Sequence, residues 1–412
     1  MIKRYNFKHK PGFPLHTFFA ICYSLFVFFP CSLLFAETPE IGSQSAVVVD
    51  AETGSVIFSK NASDEIPPAS LTKLMTMHLA LNKVNEGKAT LDDIVPITNE
   101  SWAVNQPPRS SLMFLAPGQT VTLREILLGL AVPSGNDAAV AVALYLAPTV
   151  EDFAKMMNRE ARRMGLIKTR FVEPSGISED NMTTSAEFAA FCLEYLRLHP
   201  HTLADFHSVR EFAYPKTINV PIALRNNPRT IVQHNRNNLL DVFPGADGLK
   251  TGYIDEAGYN IALTAQRNGT RFIAVILGAP AGPGGANIRD RDGEKLLSWA
   301  FSNYKTVRPE ITRLEPVKLW KGKEKQVFLK IAESTAFTAP IDRAVSLRYI
   351  ARINEPLIAP LPAGYPVGRL IIADDQGELY GVKLVTSEEY QQGNIFKRIW
   401  HSIRLLFYKN SA

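Results

Sequence analysis

The chain has 412 residues, 46% of them hydrophobic and 21% charged, an ordinary globular composition long enough for two or three domains. Its formal charge of +5 sits at the ends: residues 1–36 and residues 390–412 each hold four cations and no acid. The body between them is therefore mildly acidic, about −3, which argues against a nucleic-acid partner, since that would need a basic face on a folded domain.

In chain order, residues 1–36 read as an export signal. Lys3, Arg4, Lys8 and Lys10 precede an apolar run from Phe18 to Phe35, and Ala36 offers a small residue for cleavage. The alternative is an uncleaved anchor, because the run is near bilayer length. Phe29 and Pro30 are too bulky for lipidation at Cys31. With the signal removed only Cys192 remains, in an apolar helical pattern, so no intrachain disulfide is expected and buried packing is.

Ala46–Asp50 and Ser55–Ser59 form a predicted hairpin. From Ser70 the pattern turns helical, with Leu71, Leu74, Met75, His78 and Leu81 on one face, and helices dominate to about His199. Thr184 and Glu187 suggest a capping box for the helix through Phe188–Leu198. Strands return at Tyr259–Gln266 and Thr270–Leu277, joined by a turn at Arg267–Asn268–Gly269, and a helix follows near Arg291–Asn303. Strands at both ends of this region and helices between them predict an α+β domain, an antiparallel sheet covered by helices, over residues 37–305. Short alternating runs cut by Pro and Gly predict a small all-β domain over 306–386. In 387–412, Ile395, Phe396, Ile399, Trp400, Ile403, Leu406 and Phe407 make an apolar stripe on a basic helix, which fits a membrane surface. The competing expectation is a helix docked on its own domain.

Three motifs carry the chemistry: Ser70–Leu71–Thr72–Lys73, Ser134–Gly135–Asn136 and Lys250–Thr251–Gly252. Ser70 opens a helix and Lys73 follows one turn on, on the same face. A bland reading makes Ser70 a helix cap, but a cation in a first helical turn opposes the helix dipole. It stands where a nucleophile needs a base, and the helix N-terminus and a second cation would lower its pKa. The Ser70 N–H, pointing from a helix start, could hold an oxyanion. Ser134–Gly135–Asn136 lies on a loop entering a helix, where Ser134 could relay a proton and Asn136 bond a substrate amide. On a strand, Lys250 would add charge, Thr251 a hydroxyl for a carboxylate, and Gly252 clearance for a peptide along the strand edge.

With Pro67–Lys73, Pro133–Ala138, Asp247–Gly252 and Ala257–Asn260, these motifs closely resemble low-molecular-mass penicillin-binding D-Ala-D-Ala carboxypeptidases. The resemblance implies a transpeptidase/β-lactamase-like fold over about residues 42–305. It also implies acylation of Ser70, with Lys73 as base, Ser134, Asn136, Lys250 and Thr251 lining the cleft, and the Tyr253 N–H as second oxyanion donor. Arg289, in Asn287–Asp290, is a candidate for holding the terminal carboxylate, or else a surface salt bridge. The implied partners are peptidoglycan stem peptides, β-lactams as covalent inhibitors, and a membrane surface under the tail, with no metal, cofactor or nucleic acid. The implied location is extracytoplasmic.

One stretch departs from the family: Glu173–Pro174–Ser175–Gly176–Ile177 stands where Asn-Pro-His-Gly-Leu is usual. Glu173 invites comparison with the β-lactamase loop glutamate, although the residues after it do not match. A β-lactamase, an endopeptidase cutting D-Ala cross-links, and a non-catalytic wall-binding scaffold are the rival readings.

Overall fold

The computed structural model describes residues 3–5, 38–226, 229–311 and 314–408. The expected export signal thus lies outside the described residues, apart from a short strand at Lys3–Tyr5. The chain divides into two compact units, the first spanning 38–302.

The first unit is built on five strands: β1 (Ser45–Asp50), β2 (Val56–Lys60), and, after a long helical excursion, β5 (Ala246–Ile254), β6 (Gly258–Arg267) and β7 (Thr270–Ala279). They form one antiparallel sheet in the order β2-β1-β7-β6-β5. The period of two along β1 and β7 divides their side chains between two covered faces. Val47, Val49, Ile273 and Val275 join one core with the helices. On the other face helix α7 (Gly285–Asn303) lies against Leu263 and Ile276, with Gly293 at the close approach. The predicted turn between β6 and β7 holds Asn268 and Gly269 at positive φ.

Five helices fill the excursion: α1 (Thr72–Asn85), α2 (Leu123–Ala131), α3 (Asn136–Leu146), α4 (Val150–Arg163) and α5 (Ser185–Leu198). Helix α1 runs through their middle, with every residue from Thr72 to Leu81 buried. Cys192 of α5 is buried in the same core. Only half of the expected capping box forms at α5. Thr184 Oγ1 accepts from the Glu187 N–H at 3.1 Å, but the Glu187 carboxylate takes the Lys168 N–H and the Thr169 hydroxyl instead. The complete box is at α2, between Thr122 and Glu125. Residues 200–245, in which no element was predicted, hold a two-stranded sheet, β3 (Glu211–Tyr214) with β4 (Ile231–His234), and a short helix, α6 (Leu239–Val242).

The second unit is all-β apart from short turns and a final helix. Its largest sheet joins Leu329–Ile331, Glu378–Thr386, Pro366–Ala373, Arg348–Ile353 and Lys3–Tyr5. Leu319, Val327, Val367, Val382 and Leu384 form its core. The segment after Thr386, expected to open the tail helix, first completes this unit: Tyr390 is fully buried, bridges Leu361, and its hydroxyl accepts from the Phe328 N–H at 2.7 Å. Helix α8 (Ile395–Tyr408) follows. It is fastened by its polar side, where His401 Nδ1 accepts from the Lys321 N–H at 2.7 Å and Trp320 packs on His401 and Tyr408. The seven apolar side chains of the predicted stripe point away and are 46–80% exposed. No helix among the described residues is long and apolar enough to cross a membrane.

Candidate active site

A cleft of about 930 Å³ opens between the helical part of the first unit and strand β5. Ser70 lies on its floor, in a 3-10 turn (Ala69–Leu71) that runs directly into α1. Ala69, immediately before Ser70, holds φ at 49°, a left-handed conformation costly for a non-glycine residue. Strand β5 passes hard against this turn: a Cβ on Gly252 would lie 2.9 Å from Ser70 N and 2.9 Å from Pro68 O. The demand for glycine thus comes from the backbone at Ser70 and Pro68, not from the substrate side as the sequence suggested.

Lys73 is buried and its Nζ reaches three acceptors: Ser70 Oγ at 3.0 Å, Asn136 Oδ1 at 2.7 Å and Ser175 O at 2.6 Å. Loss of solvent lowers its pKa to about 7, against the opposing pull of the Glu173 and Asp137 charges. Burial is therefore the leading cause, rather than the helix terminus or a second cation. The neutral amine has two hydrogens and one lone pair. Asn136 Oδ1 and Ser175 O can only accept, so they take the hydrogens and leave the lone pair facing Ser70 Oγ.

The second motif forms the adjoining wall. Ser134 lines the cleft at φ 65°, a second strained non-glycine position, and Asn136 begins α3. Asp137 points the other way, accepting from the N–H groups of Met113, Phe114 and Leu115. It bolts the 107–115 segment to α3. That segment supplies Ser110, whose Oγ accepts from Asn136 Nδ2 at 3.1 Å.

On β5, Thr251, Gly252 and Tyr253 line the cleft, and the Tyr253 ring packs tilted at 34° on Tyr259, centroids 4.2 Å apart. Lys250 is buried with its Nζ donating to Thr251 O at 2.9 Å. Its pKa is driven well below the usual lysine value by burial, and further by the charges of Lys73, Arg236 and Arg289. Arg289 lies on α7, lines the cleft and donates twice to Asp290 Oδ1, at 2.8 and 2.6 Å. The salt bridge and the place in the cleft, posed as alternatives, coexist.

Every residue singled out in the sequence is thus in or beneath one cleft. Two cations that also line it, Arg109 and Arg236, were missed. The Asn-Arg-Asn run offered a signal for Arg236. Asn235 Oδ1 accepts from the Asn237 N–H at 2.9 Å, and Asn237 Nδ2 donates to Gly248 O at 3.3 Å, pinning the arginine beside β5.

The divergent loop has a clear local logic. The Glu173 carboxylate accepts from the Ser175 N–H and hydroxyl, the Gly176 N–H and Asn181 Nδ2, all within 2.8 Å. It is turned into its own loop. That loop presents Ser175 O to Lys73, and Pro174 O accepts from the Thr76 hydroxyl at 2.7 Å.

Comparison with known proteins agrees with this geometry. Residues 34–281 match the D-alanyl-D-alanine carboxypeptidase peptidase family, and residues 304–392 match the penicillin-binding protein 5 C-terminal domain. The chain is 31% identical over 396 residues to D-alanyl-D-alanine carboxypeptidase DacC of Escherichia coli K12, covering 93% of this chain and 94% of that protein. It superposes on penicillin binding protein 5 from Haemophilus influenzae with a TM-score of 0.76 and 28% identity, over 86% of this chain and 99% of that one. Penicillin-binding protein D2 from Listeria monocytogenes, solved in an ampicillin-bound form, aligns at a TM-score of 0.54 and 29% identity, over 63% of this chain and 98% of that one.

Proposed function

Because the chain belongs to the D-alanyl-D-alanine carboxypeptidase family, we propose that its Ser70 is the acylated nucleophile of a reaction that removes the terminal D-alanine from peptidoglycan pentapeptides. The single observation that carries this assignment is the buried Lys73 Nζ, 3.0 Å from Ser70 Oγ, where burial lowers its pKa to about 7. Neutral Lys73 takes the Ser70 proton as Oγ attacks the carbonyl carbon of the penultimate D-alanine. The oxyanion that forms is held by the N–H groups of Ser70 and Tyr253. Collapse breaks the C–N bond, and the proton passes through Ser134 to the departing amine. Water then hydrolyses the Ser70 ester and regenerates the serine. Asn136 orients the acyl-side amide, Thr251 and Arg289 hold the terminal carboxylate, and Lys250, beneath the cleft, acts on that end electrostatically. β-Lactams react at the same oxygen, because their ring amide stands in for the D-Ala-D-Ala bond.

The same reading extends to the ends of the chain. Residues 1–36 serve as the export signal, the first unit is the catalytic domain, and the β unit is a stalk or contact surface. Helix α8 lies in the membrane interface by its exposed apolar stripe, leaving the enzyme extracytoplasmic. Mass spectrometry after incubation with benzylpenicillin tests the core of the proposal. A long-lived adduct on Ser70 and release of D-alanine from a pentapeptide are expected, with both lost in Ser70→Ala. An adduct on the Ser70→Ala protein overturns the assignment of the nucleophile. A wild-type adduct that turns over rapidly points to a β-lactamase.

A further inference from the structure

The mouth of the cleft holds a charged side chain that the mechanism leaves without a task. Arg109 is exposed, lines the cleft, and has no hydrogen bond or ion pair among the described residues. Its φ is 65°, in the left-handed region where glycine or asparagine sits with less strain. A non-glycine residue held in such a conformation points to a role for its side chain. Its surroundings are firmly fixed. Ser110 Oγ and Ser111 O both accept from Asn136, at 3.1 and 2.8 Å, and Asp137 holds the N–H groups of Met113 to Leu115. The arginine therefore has a rigid base at the rim.

The direction of the substrate decides what it meets. With the terminal carboxylate at Thr251 and the scissile carbonyl at the Tyr253 N–H, an extended peptide runs antiparallel to β5. At roughly 3.3 Å per residue its acyl part continues past Tyr253 towards Glu256. Arg109 belongs to this acyl side, because its segment is bonded to Asn136, whereas Lys250 and Arg289 serve the other end. Asp255 and Glu256 line the cleft from the β5 side. They repel an anion on the acyl part and turn it towards the arginine.

We propose that Arg109 is a specificity-determining residue that takes a carboxylate borne by the acyl part of the substrate, on the residue preceding the two D-alanines. The assignment rests on the carboxypeptidase reading above. An arginine–carboxylate contact at this exposed rim is worth a preference of about a few-fold.

The test compares kcat/KM for two peptides ending in D-Ala-D-Ala that differ only in a carboxylate or a carboxamide on the preceding residue. The wild-type full chain is expected to favour the carboxylate about three- to fivefold. R109G, which suits the backbone conformation, is expected to lose that preference, R109K to restore part of it, and high salt to shrink it. No preference in the wild type, an unchanged preference in R109G, or an equal loss on both peptides overturns the assignment. The carboxypeptidase reading is checked apart from it: a penicillin adduct and D-alanine release without carboxylate preference sink Arg109 alone. Absence of both adduct and release sinks the reading beneath it and Arg109 with it.

Discussion

Helices α1 and α8 are each fourteen residues long and each carries a lysine near its start, yet they stand at opposite extremes of solvation. Ten consecutive residues of α1 are buried, while α8 has no buried residue at all. In α1 the protein surrounds Lys73 on every side and replaces its water with three fixed acceptors, which pushes the ammonium towards neutrality. In α8, Lys397 is only half-buried, and its Nζ donates to Lys323 O at 2.9 Å and Glu324 O at 3.3 Å. On the proposed mechanism, dehydration is what lets Lys73 act as a base. The same residue left in water can serve only as a charge.

The comparison breaks most completely if α8 is removed. Truncation after Gly393, rather than after Thr386, spares the buried Tyr390 and should leave the β unit folded. On the proposed membrane attachment, truncation removes seven exposed apolar side chains, each contributing on the order of 1 kcal/mol at ~25 cal/mol per Å². Liposome sedimentation is expected to fall by several orders of magnitude in partition coefficient, with D-alanine release from soluble peptides retained. In the full-length protein, high salt should release only part of the bound fraction, because it screens the cations and not the apolar stripe. Binding that survives truncation, or that salt abolishes, would place the attachment elsewhere.

The next largest effect comes from making the inner lysine behave like the outer ones. Lys73→Arg keeps a cation that cannot become neutral, so the penicillin acylation rate should drop by ~10² or more. Normal acylation by this variant would mean that another group accepts the serine proton.

A third measurement varies pH instead of sequence. On the proposed mechanism Lys73 acts as the neutral amine, and burial lowers its pKa to about 7. The acylation rate should therefore fall about tenfold per pH unit on the acid side of 7 and level off above it. A flat profile from pH 5 to 8 would contradict a base with this pKa.

Glu173 offers the finest adjustment. Its charge raises the Lys73 pKa, so Glu173→Gln should shift the acid limb of that profile to lower pH. It should also slow acylation a few-fold, as the loop presenting Ser175 O loses charge-assisted bonds. A shift to higher pH would show that loop disorder, not electrostatics, dominates.

Much of this was legible in the sequence because it is local. The spacing of Ser70 and Lys73, the loop before Asn136 and the strand carrying Lys250 are each set by a few neighbouring residues. The apolar stripe of α8 was equally plain, as were the alternating runs of the β unit. What could not be read depends on distant partners. Ser175 O reaches Lys73 across 102 positions, and Asn136 reaches it across 63. The role of Glu173 was hidden because a loop carboxylate gives no sign of whether it faces a cleft or its own backbone. The β3–β4 ribbon that precedes Arg236 is short, with both Ile231 and Val232 exposed, so no alternation of buried and exposed residues marked it.

The burial of Cys192 has a practical consequence. Its thiol is pushed well above the usual range by loss of solvent, so it is poorly nucleophilic as well as inaccessible. Cys22 and Cys31 lie within the proposed export signal and would leave with it. The processed protein would then present a surface silent to maleimide reagents. One cysteine introduced at an exposed position such as Phe396 could carry a fluorophore without competing labels, and its emission would report when the final helix exchanges water for lipid.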